Sequence, residues 1–317
     1  MATYNHQSFI REAIESVRAQ TLPVAELNVV DDGSSDNSAS IAESMGAHVI
    51  RQSNAGIPRT RNRCVRESCQ PWIAFIDGDD IWEPEKIERQ MEIANSNQEV
   101  ALVTSDFTRF DQSGEIVESG LKKYRDGYQA QPKRACERGA IIDQLDENFG
   151  DATYFLVPSY VMVRRDVLDV TGWFDEKLNA AAEDFDCFMR VLAKHPMGIV
   201  ERVLVRRREH EKNGGLQYVK TSLSCLAATY KVLENPHLYP SATVDLCKKW
   251  LPANLRHAGA RQLWDGNPKA GRELLFESAR LQLSPRTVMA LGVSLTPSII
   301  ARHLMAFRYH VSKTAGI

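Results

Sequence analysis

Residues 75–84 read Phe-Ile-Asp-Gly-Asp-Asp-Ile-Trp-Glu-Pro, so three carboxylates, Asp77, Asp79 and Asp80, crowd around Gly78 between two apolar pairs. In an extended segment side chains two apart share a face, so Asp77 and Asp79 are expected to converge on one object while Gly78 lets the backbone come close. Converging carboxylates with few other donors suit a hard cation, Mg2+ or Mn2+, which commonly completes its shell with water and substrate phosphates. The implied partner is a diphosphate. Taken alone, the same residues also read as an acidic turn capping the next helix. A second cluster, Asp31 and Asp32 in "VVDDGSSDNS", closes an earlier apolar run, and alone it reads as a turn plus helix cap. A third, "EDFD" from Glu183 to Asp186, opens a helical pattern, where acids favourably meet the helix dipole.

These clusters need a scaffold that brings them together. From Gln7 to Gln20 the apolar positions Phe9, Ile10, Ala13, Ile14 and Val17 recur at helical spacing, with Ser8 placed to cap the start. Short apolar runs, "ELNVV", "AHVI" and "PWIAFI", then alternate with helical patterns, the last of them, "PEKIERQMEIAN", carrying Pro84 in its first turn. Continuous apolar strands alternating with helices predict a doubly wound α/β sheet with helices on both faces. Beyond Val100 the pattern loosens. "ALVTSDFTRFDQSGEIVE" reads as two strands around a Ser-Gly turn, "YFLVPSYVMVRR" as another strand and "DFDCFMRVLAKH" as a helix, so the sheet is expected to become mixed. From about Leu216 onward the chain reads as helical, including two helices around an Asp-Gly-Asn-Pro turn. In such sheets ligands bind beyond the carboxyl ends of the strands, where both Asp clusters fall.

Composition limits the alternatives. The chain has 317 residues, 43% hydrophobic and 25% charged, with a formal net charge of −2, which removes the global electrostatic case for nucleic acid. Six scattered cysteines without a CxxC pair, and no basic and apolar signal segment in "MATYNHQ", read as a reducing cytoplasm. "VMALGVSLTPSII" is broken by Pro297 and falls short of a spanning helix.

"TYNHQSFIREAIESVRAQT", "VVDDGSSDNS", "NAGIPRTRN", "FIDGDDIWEPEKI", "TGWFDEKL" followed by "EDFDCFMR", and "RREHEKN" occur in one order. Together they resemble the inverting nucleotide-sugar glycosyltransferases of family 2, which have the GT-A fold. The resemblance spans about Ala2 to Asn213. It implies a transferase domain over residues 1–214; the helical C-terminal region over 215–317 lies outside the resemblance and is read from the sequence itself. It further implies that Asp32 reads the nucleotide base, that Thr3 and Tyr4 flank it, and that Arg61 lies near base and diphosphate. Asp77 would face the ribose or metal, Asp79 would coordinate the metal directly, and Asp184 would be the catalytic base. Arg208 and His210 resemble a late Arg-x-His element, with His210 a metal or diphosphate contact.

The chemistry suits these roles. An acceptor hydroxyl must lose a proton as it attacks the anomeric carbon, through an oxocarbenium-like state, and one carboxylate serves as base. The implied cofactor is Mg2+ or Mn2+. The implied donor is a nucleotide-diphosphate sugar, with a UDP-sugar expected first. The implied acceptor is a glycan or lipid-linked hydroxyl in surface-polysaccharide synthesis, reached in the cytoplasm or at the inner face of the plasma membrane through a basic, apolar C-terminal end. Two rivals are a nucleotidylyltransferase, which would want a Gly-rich basic phosphate loop, and a non-catalytic binding module of the same fold. Family members enter "TYN" from an apolar strand of about five residues that sits centrally in such sheets. The expectation is therefore a coding region that starts upstream of Met1, a gap or a substitute between "LNVV" and "IAFI", and poor solubility or activity of the 317-residue form.

Overall fold

The computed structural model describes residues 1–146, 155–178, 182–210 and 218–295. The first layer is parallel. Strand β1 (Ala2–Thr3) pairs with β2 (Asn28–Asp31), which pairs with β3 (His48–Arg51). Helices α1 (Ile10–Arg18), α2 (Ser38–Ser44) and α3 (Ile57–Glu67) connect these strands to β4 (Trp72–Ala74). The remaining strands form a mixed sheet in the order β4, β10 (Met162–Arg164), β6 (Leu102–Asp111), β11 (Met197–Arg208), β9 (Gly139–Ile142), β8 (Arg134–Cys136). Only β6 and β11 run parallel within it; β5 (Ile81–Trp82) pairs with β11 and β7 (Gly114–Val117) with β6, both antiparallel.

Period-two alternation sends neighbouring side chains to opposite faces. Leu102, Val163 and Ile199 join the large core with Phe188 and Val191 of α8 (Glu183–Leu192), whereas Val103, Met162 and Val200 pack with Ile93 and Ala94 of α4 (Lys86–Ser96). Helices therefore cover both faces of a mixed α/β sheet, as expected.

Several local readings change. Ser8 does not cap α1: Phe9 holds the cap position without a side-chain bond, and the backbone carbonyl of His6 accepts from the N–H groups of Phe9 and Ile10, both at 2.9 Å. "YFLVPSYVMVRR" yields only the short β10, because Pro158–Tyr160 forms a 3-10 turn. The twelve-residue β11 is not among the strands read from the sequence; Leu204 and Val205 are buried in it.

The expected gap between "LNVV" and "IAFI" is half filled. β1 lies between them: Ala2 pairs with Val30 on one side and bridges Asp77 on the other, its N–H donating to Ile76 and its carbonyl accepting from Gly78. Towards the amino ends of β2 and β4 this insertion stops. A cavity of about 310 Å³ remains there, lined among others by Met1, Val17, Leu27, Cys64, Ile73 and Ala74.

From Tyr218 the described elements are helices: α9 (Tyr218–Glu234), α10 (Ser241–Trp264), α11 (Pro268–Leu281) and α12 (Pro285–Ser294), with a short 3-10 turn at Pro236–Leu238. The turn between α10 and α11 is the expected Asp-Gly-Asn segment, with Gly266 at φ 86°. Val232, Tyr239, Val244 and Cys247 join the large core, so the start of this region packs directly on the sheet domain. Among the described residues no helix is long and apolar enough to cross a membrane. The basic, apolar segment from Ile299 to Lys313 lies outside the described residues.

Candidate active site

The carboxyl ends of β1, β2 and the β4 segment gather three loops. The acidic turn does not continue β4 as an extended chain: Asp80 N–H donates to the carbonyl of Asp77 at 3.2 Å, closing a tight turn around Gly78. Asp77 and Asp79 therefore diverge instead of sharing a face. Asp77 turns to Arg61, whose Nη2 donates to both of its carboxylate oxygens at 3.2 and 3.0 Å. Asp79 turns to histidines: its Oδ2 lies 3.0 Å from His210 Nε2 and 3.9 Å from His6 Nε2. One ligand-type atom from each of His6, Asp79 and His210 lies within 4.8 Å of the others. Asp77 lies outside that cluster, held by Arg61 on the other side of the turn.

A side chain at position 78 has no room. A Cβ there would come within 2.8 Å of both His6 Nδ1 and Thr3 Oγ1. Burial pushes the Asp79 carboxyl up, but the His210 hydrogen bond and the nearby imidazoles outweigh it and hold the group below the usual range. Asp80 behaves oppositely. Buried beneath the turn and facing the charges of Asp79 and Asp77, it is pushed up to about 8, with Arg207 pulling the other way. Its Oδ1 accepts the backbone N–H of Arg208 at 3.1 Å.

Arg208 acts as a clamp. Its Nε donates to the Asp79 carbonyl at 3.1 Å, its Nη2 reaches Glu12 on α1, and its guanidinium lies over the rings of Phe9 and Phe110. The end of β11 thereby fastens the acidic turn to α1. His210 stacks near Phe9, with ring centroids 4.7 Å apart.

The loop after β1 is tied to the "DDGSSD" loop. Asn5, at φ 56°, donates its N–H to Ser34 Oγ and accepts from Ser35 N–H, while the N–H groups of His6 and Gln7 donate to Ser38 Oγ and Asp36. Asp31 closes that loop on Ser34. Asp32 is buried and accepts from Gln52 Nε2, Ala55 N–H and Gly56 N–H, at 2.8, 2.8 and 3.0 Å. Thr3 is buried and Tyr4 is 46% exposed beside it.

Across the cleft edge stands the start of α8. Arg61, buried, spans it by donating Nη1 to Glu183 while Nη2 holds Asp77, and its guanidinium is held still more firmly charged, the nearby acids overcoming the penalty of burial. Glu183 is pushed up to about 7 by burial and by Asp184, with Arg61 opposing. Asp184 is half-buried; burial raises it too, partly offset by Arg61 and by a 2.8 Å bond from Phe185 N–H. One turn on, Asp186 takes Arg190, Lys231 and the Tyr239 hydroxyl, tying α8 to the C-terminal helices.

His6, Glu183 and Arg207 were not singled out from sequence as site residues. His6 carries a weak signal, since it follows "TYN" in a loop at the same sheet edge. Glu183 hides as one of three acids at a helix start, and Arg207 as one of three arginines at a strand end.

This architecture, a mixed sheet with an acidic turn and a helix-borne carboxylate at its carboxyl edge, is the GT-A glycosyltransferase fold. Residues 1–171 match glycosyl transferase family 2, and the chain belongs to that family. The putative glycosyltransferase EpsH of Bacillus subtilis is 33% identical over 138 residues, covering 42% of this chain and 39% of the relative. An uncharacterized glycosyltransferase of Rickettsia typhi, RT0329, is 26% identical over 213 residues, covering 66% and 62%. The chain thus spans between 39% and 62% of the length of these two curated relatives. Among solved structures, Staphylococcus aureus TarS 1–349 in complex with UDP-GlcNAc matches with TM-score 0.63 at 15% identity, over 99% of this chain and 90% of that one. The mannosyltransferase PcManGT of Pyrobaculum calidifontis, in complex with GDP-Man and Mn2+, matches with TM-score 0.60 at 15% identity, over 96% and 84%. At such identities the likeness is one of fold.

Proposed function

We propose that the chain transfers a sugar, with inversion, from a nucleotide-diphosphate donor, a UDP-sugar first among candidates, to an acceptor hydroxyl of a glycan or lipid-linked glycan in surface-polysaccharide synthesis. The observation that carries the reading is the Arg61 bridge, which joins the acidic turn through Asp77 to the start of α8 through Glu183, one residue from Asp184. Donor-side and acceptor-side groups thereby share one buried network.

Asp184 is the proposed base. It takes the proton of the acceptor hydroxyl as that oxygen bonds to the anomeric carbon and the bond from that carbon to the diphosphate oxygen breaks; a single displacement inverts the centre. Its raised proton affinity suits a group that must accept a proton near neutrality. Asp77, already held by Arg61, is proposed to face the donor ribose. Asp32 has about four lone-pair sites as a carboxylate and spends three on the loop before α3, leaving room for one donor from a base. Tyr4 supplies an exposed ring beside it, and Thr3 fixes the loop.

The donor set also fits a divalent ion, Mg2+ or Mn2+, held by Asp79 and His210. Ligand atoms about 2.1 Å from an ion lie about 3.0 Å apart when adjacent in an octahedron, and this pair is already at 3.0 Å. When bound, such an ion supplies neutralisation of the charge growing on the departing nucleoside diphosphate. Arg208 is proposed to steady the turn that carries Asp79, since its guanidinium is already engaged on Glu12 and the Asp79 carbonyl.

Residues 1–214 are taken as the transferase unit and 215–317 as a helical region. Phe276, Leu281, Leu283, Val288 and Leu295 are each exposed on or beside α11 and α12, and such exposed apolar side chains support the proposal of peripheral contact with a membrane bearing a lipid-linked acceptor on the cytoplasmic side.

The test is a nucleotide-sugar panel screened by thermal stabilisation with Mn2+, followed by transfer assays and the anomeric configuration of the product by NMR. The expected result is an inverted linkage, with Asp184→Asn losing about 10²–10⁴ in rate while donor binding persists. A retained configuration, or wild-type turnover in Asp184→Asn, overturns the mechanism. Donor binding with no transfer or hydrolysis in any combination favours a binding module instead.

A further inference from the structure

We infer that His6 is a third protein ligand at the Asp79–His210 site, and that the resulting two-imidazole, one-carboxylate set makes the site prefer Co2+ and Mn2+ over Mg2+. The inference rests on the proposed reading that Asp79 and His210 hold a divalent ion.

Geometry comes first. His6 Nε2 lies 3.9 Å from Asp79 Oδ2, on the same oxygen that His210 Nε2 approaches at 3.0 Å, and ligand-type atoms of all three residues fall within 4.8 Å. Adjacent ligand atoms sit about 3.0 Å apart in an octahedron and about 3.4 Å in a tetrahedron, for bonds of about 2.1 Å. His6 must therefore close on Asp79 by less than about 1 Å, the scale of a side-chain rotation. The two imidazole planes stand at 83°, with ring centroids 6.3 Å apart, so the rings approach the carboxylate from different directions instead of stacking on each other.

The imidazole is also aimed. Its Nδ1 lies 3.4 Å from Thr3 Oγ1 on the buried side, which leaves Nε2 as the nitrogen facing Asp79. Metal-binding imidazoles are usually oriented this way, by a bond from the second nitrogen to an oxygen. Glycine at 78 permits the arrangement, since a Cβ there would press on both His6 Nδ1 and Thr3 Oγ1. The backbone is fixed independently by bonds from Asn5, His6 and Gln7 to Ser34, Ser38 and Asp36. The loop is preorganised before any ion arrives.

The donor chemistry then sets the preference. Mg2+ demands oxygen ligands in near-ideal octahedral geometry and dehydrates reluctantly. Imidazole suits first-row transition ions, whose affinity for a given nitrogen and oxygen set rises from Mn2+ to Co2+. Two nitrogens and one oxygen thus disfavour Mg2+, whereas an Asp79-only site would not.

The experiment is calorimetric titration of the full chain with Co2+, Mn2+ and Mg2+, together with the visible absorption of bound Co2+, for the wild type and for His6→Ala, His6→Asp and Asp79→Ala. Wild type should bind Co2+ and Mn2+ at least about tenfold more tightly than Mg2+. His6→Ala should lose about tenfold or more in Co2+ affinity and change the Co2+ spectrum. His6→Asp, replacing nitrogen by oxygen, should narrow the gap between Co2+ and Mg2+. Both His6 variants keep the backbone N–H that bonds Ser38, and metal-free melting temperatures within a few degrees of wild type show that the loop survives. Unchanged Co2+ affinity and spectrum in His6→Ala, with binding lost in Asp79→Ala, overturns the His6 inference alone. Unchanged binding in Asp79→Ala overturns the underlying metal reading.

Discussion

At the carboxyl ends of β2 and the β4 segment, polar groups are tied to partners far along the chain: Arg61 to Glu183, Arg208 to Glu12 and the Asp79 carbonyl, Asn62 to the Phe174 carbonyl. At the amino ends of the same strands the layer is apolar, and β1 ends above a cavity of about 310 Å³. The contrast teaches where precision resides. The site is held by hydrogen bonds that cross between elements, while the layer beneath is held by apolar contacts. Asp79 and His6 are positioned from the side, by β11 and by the loop after β2, more than from below.

Replacing Arg61 by Met attacks the cross-linked end. It leaves Glu183 buried without its cation and frees Asp77, and loss of one partner from a buried pair typically costs about 3–5 kcal/mol. Urea unfolding should show a loss of that size; a loss below about 1 kcal/mol would mean that the network is not what holds this end together.

Glu183 sharpens the same point through pH. Burial raises its pKa to about 7, above the ordinary glutamate value of 4.5, so between these values the native state binds more protons than the unfolded state. The group's contribution is then fully present below about pH 4.5 and falls as pH rises through 7. Glu183→Gln removes that titration, so its stability relative to wild type should improve from pH 5 to pH 8. A difference that moves the other way would contradict the assignment.

The smallest effect is expected at the amino end. Ala74 lines the cavity from β4, and Ala74→Val adds apolar volume with a β-favouring side chain, worth about 1 kcal/mol if the void accepts it. Metal binding should not change. Destabilisation by more than about 1 kcal/mol would show that the void cannot take the added volume.

The acidic turns were legible because their residues make local structure: "DGDD" closes on Asp77 and "DDGSSD" on Asp31, each within a few residues. Asp77 and Asp79 part from each other for a local reason too, a tight turn where the spacing predicts an extended strand. His6, Glu183 and Arg207 are harder to read, since their roles depend on partners 73 to 127 residues away in the chain, Asp79, Arg61 and Asp80. The end of β11 is hard to read for the same reason. Three consecutive arginines look solvated until Phe9, Phe110, Asp80 and Tyr160 are folded around them.

The most direct test of the account is calorimetric binding of UDP and GDP to the wild type and to Asp79→Ala, each with Mn2+ and with a chelator. Wild type should bind at least one of the two diphosphates about tenfold or more tightly with Mn2+ than with chelator, and Asp79→Ala should lose this dependence. Equal affinity of the wild type with Mn2+ and with chelator, for both nucleotides, would contradict the proposal that Asp79 and its histidines hold the ion that receives the leaving group.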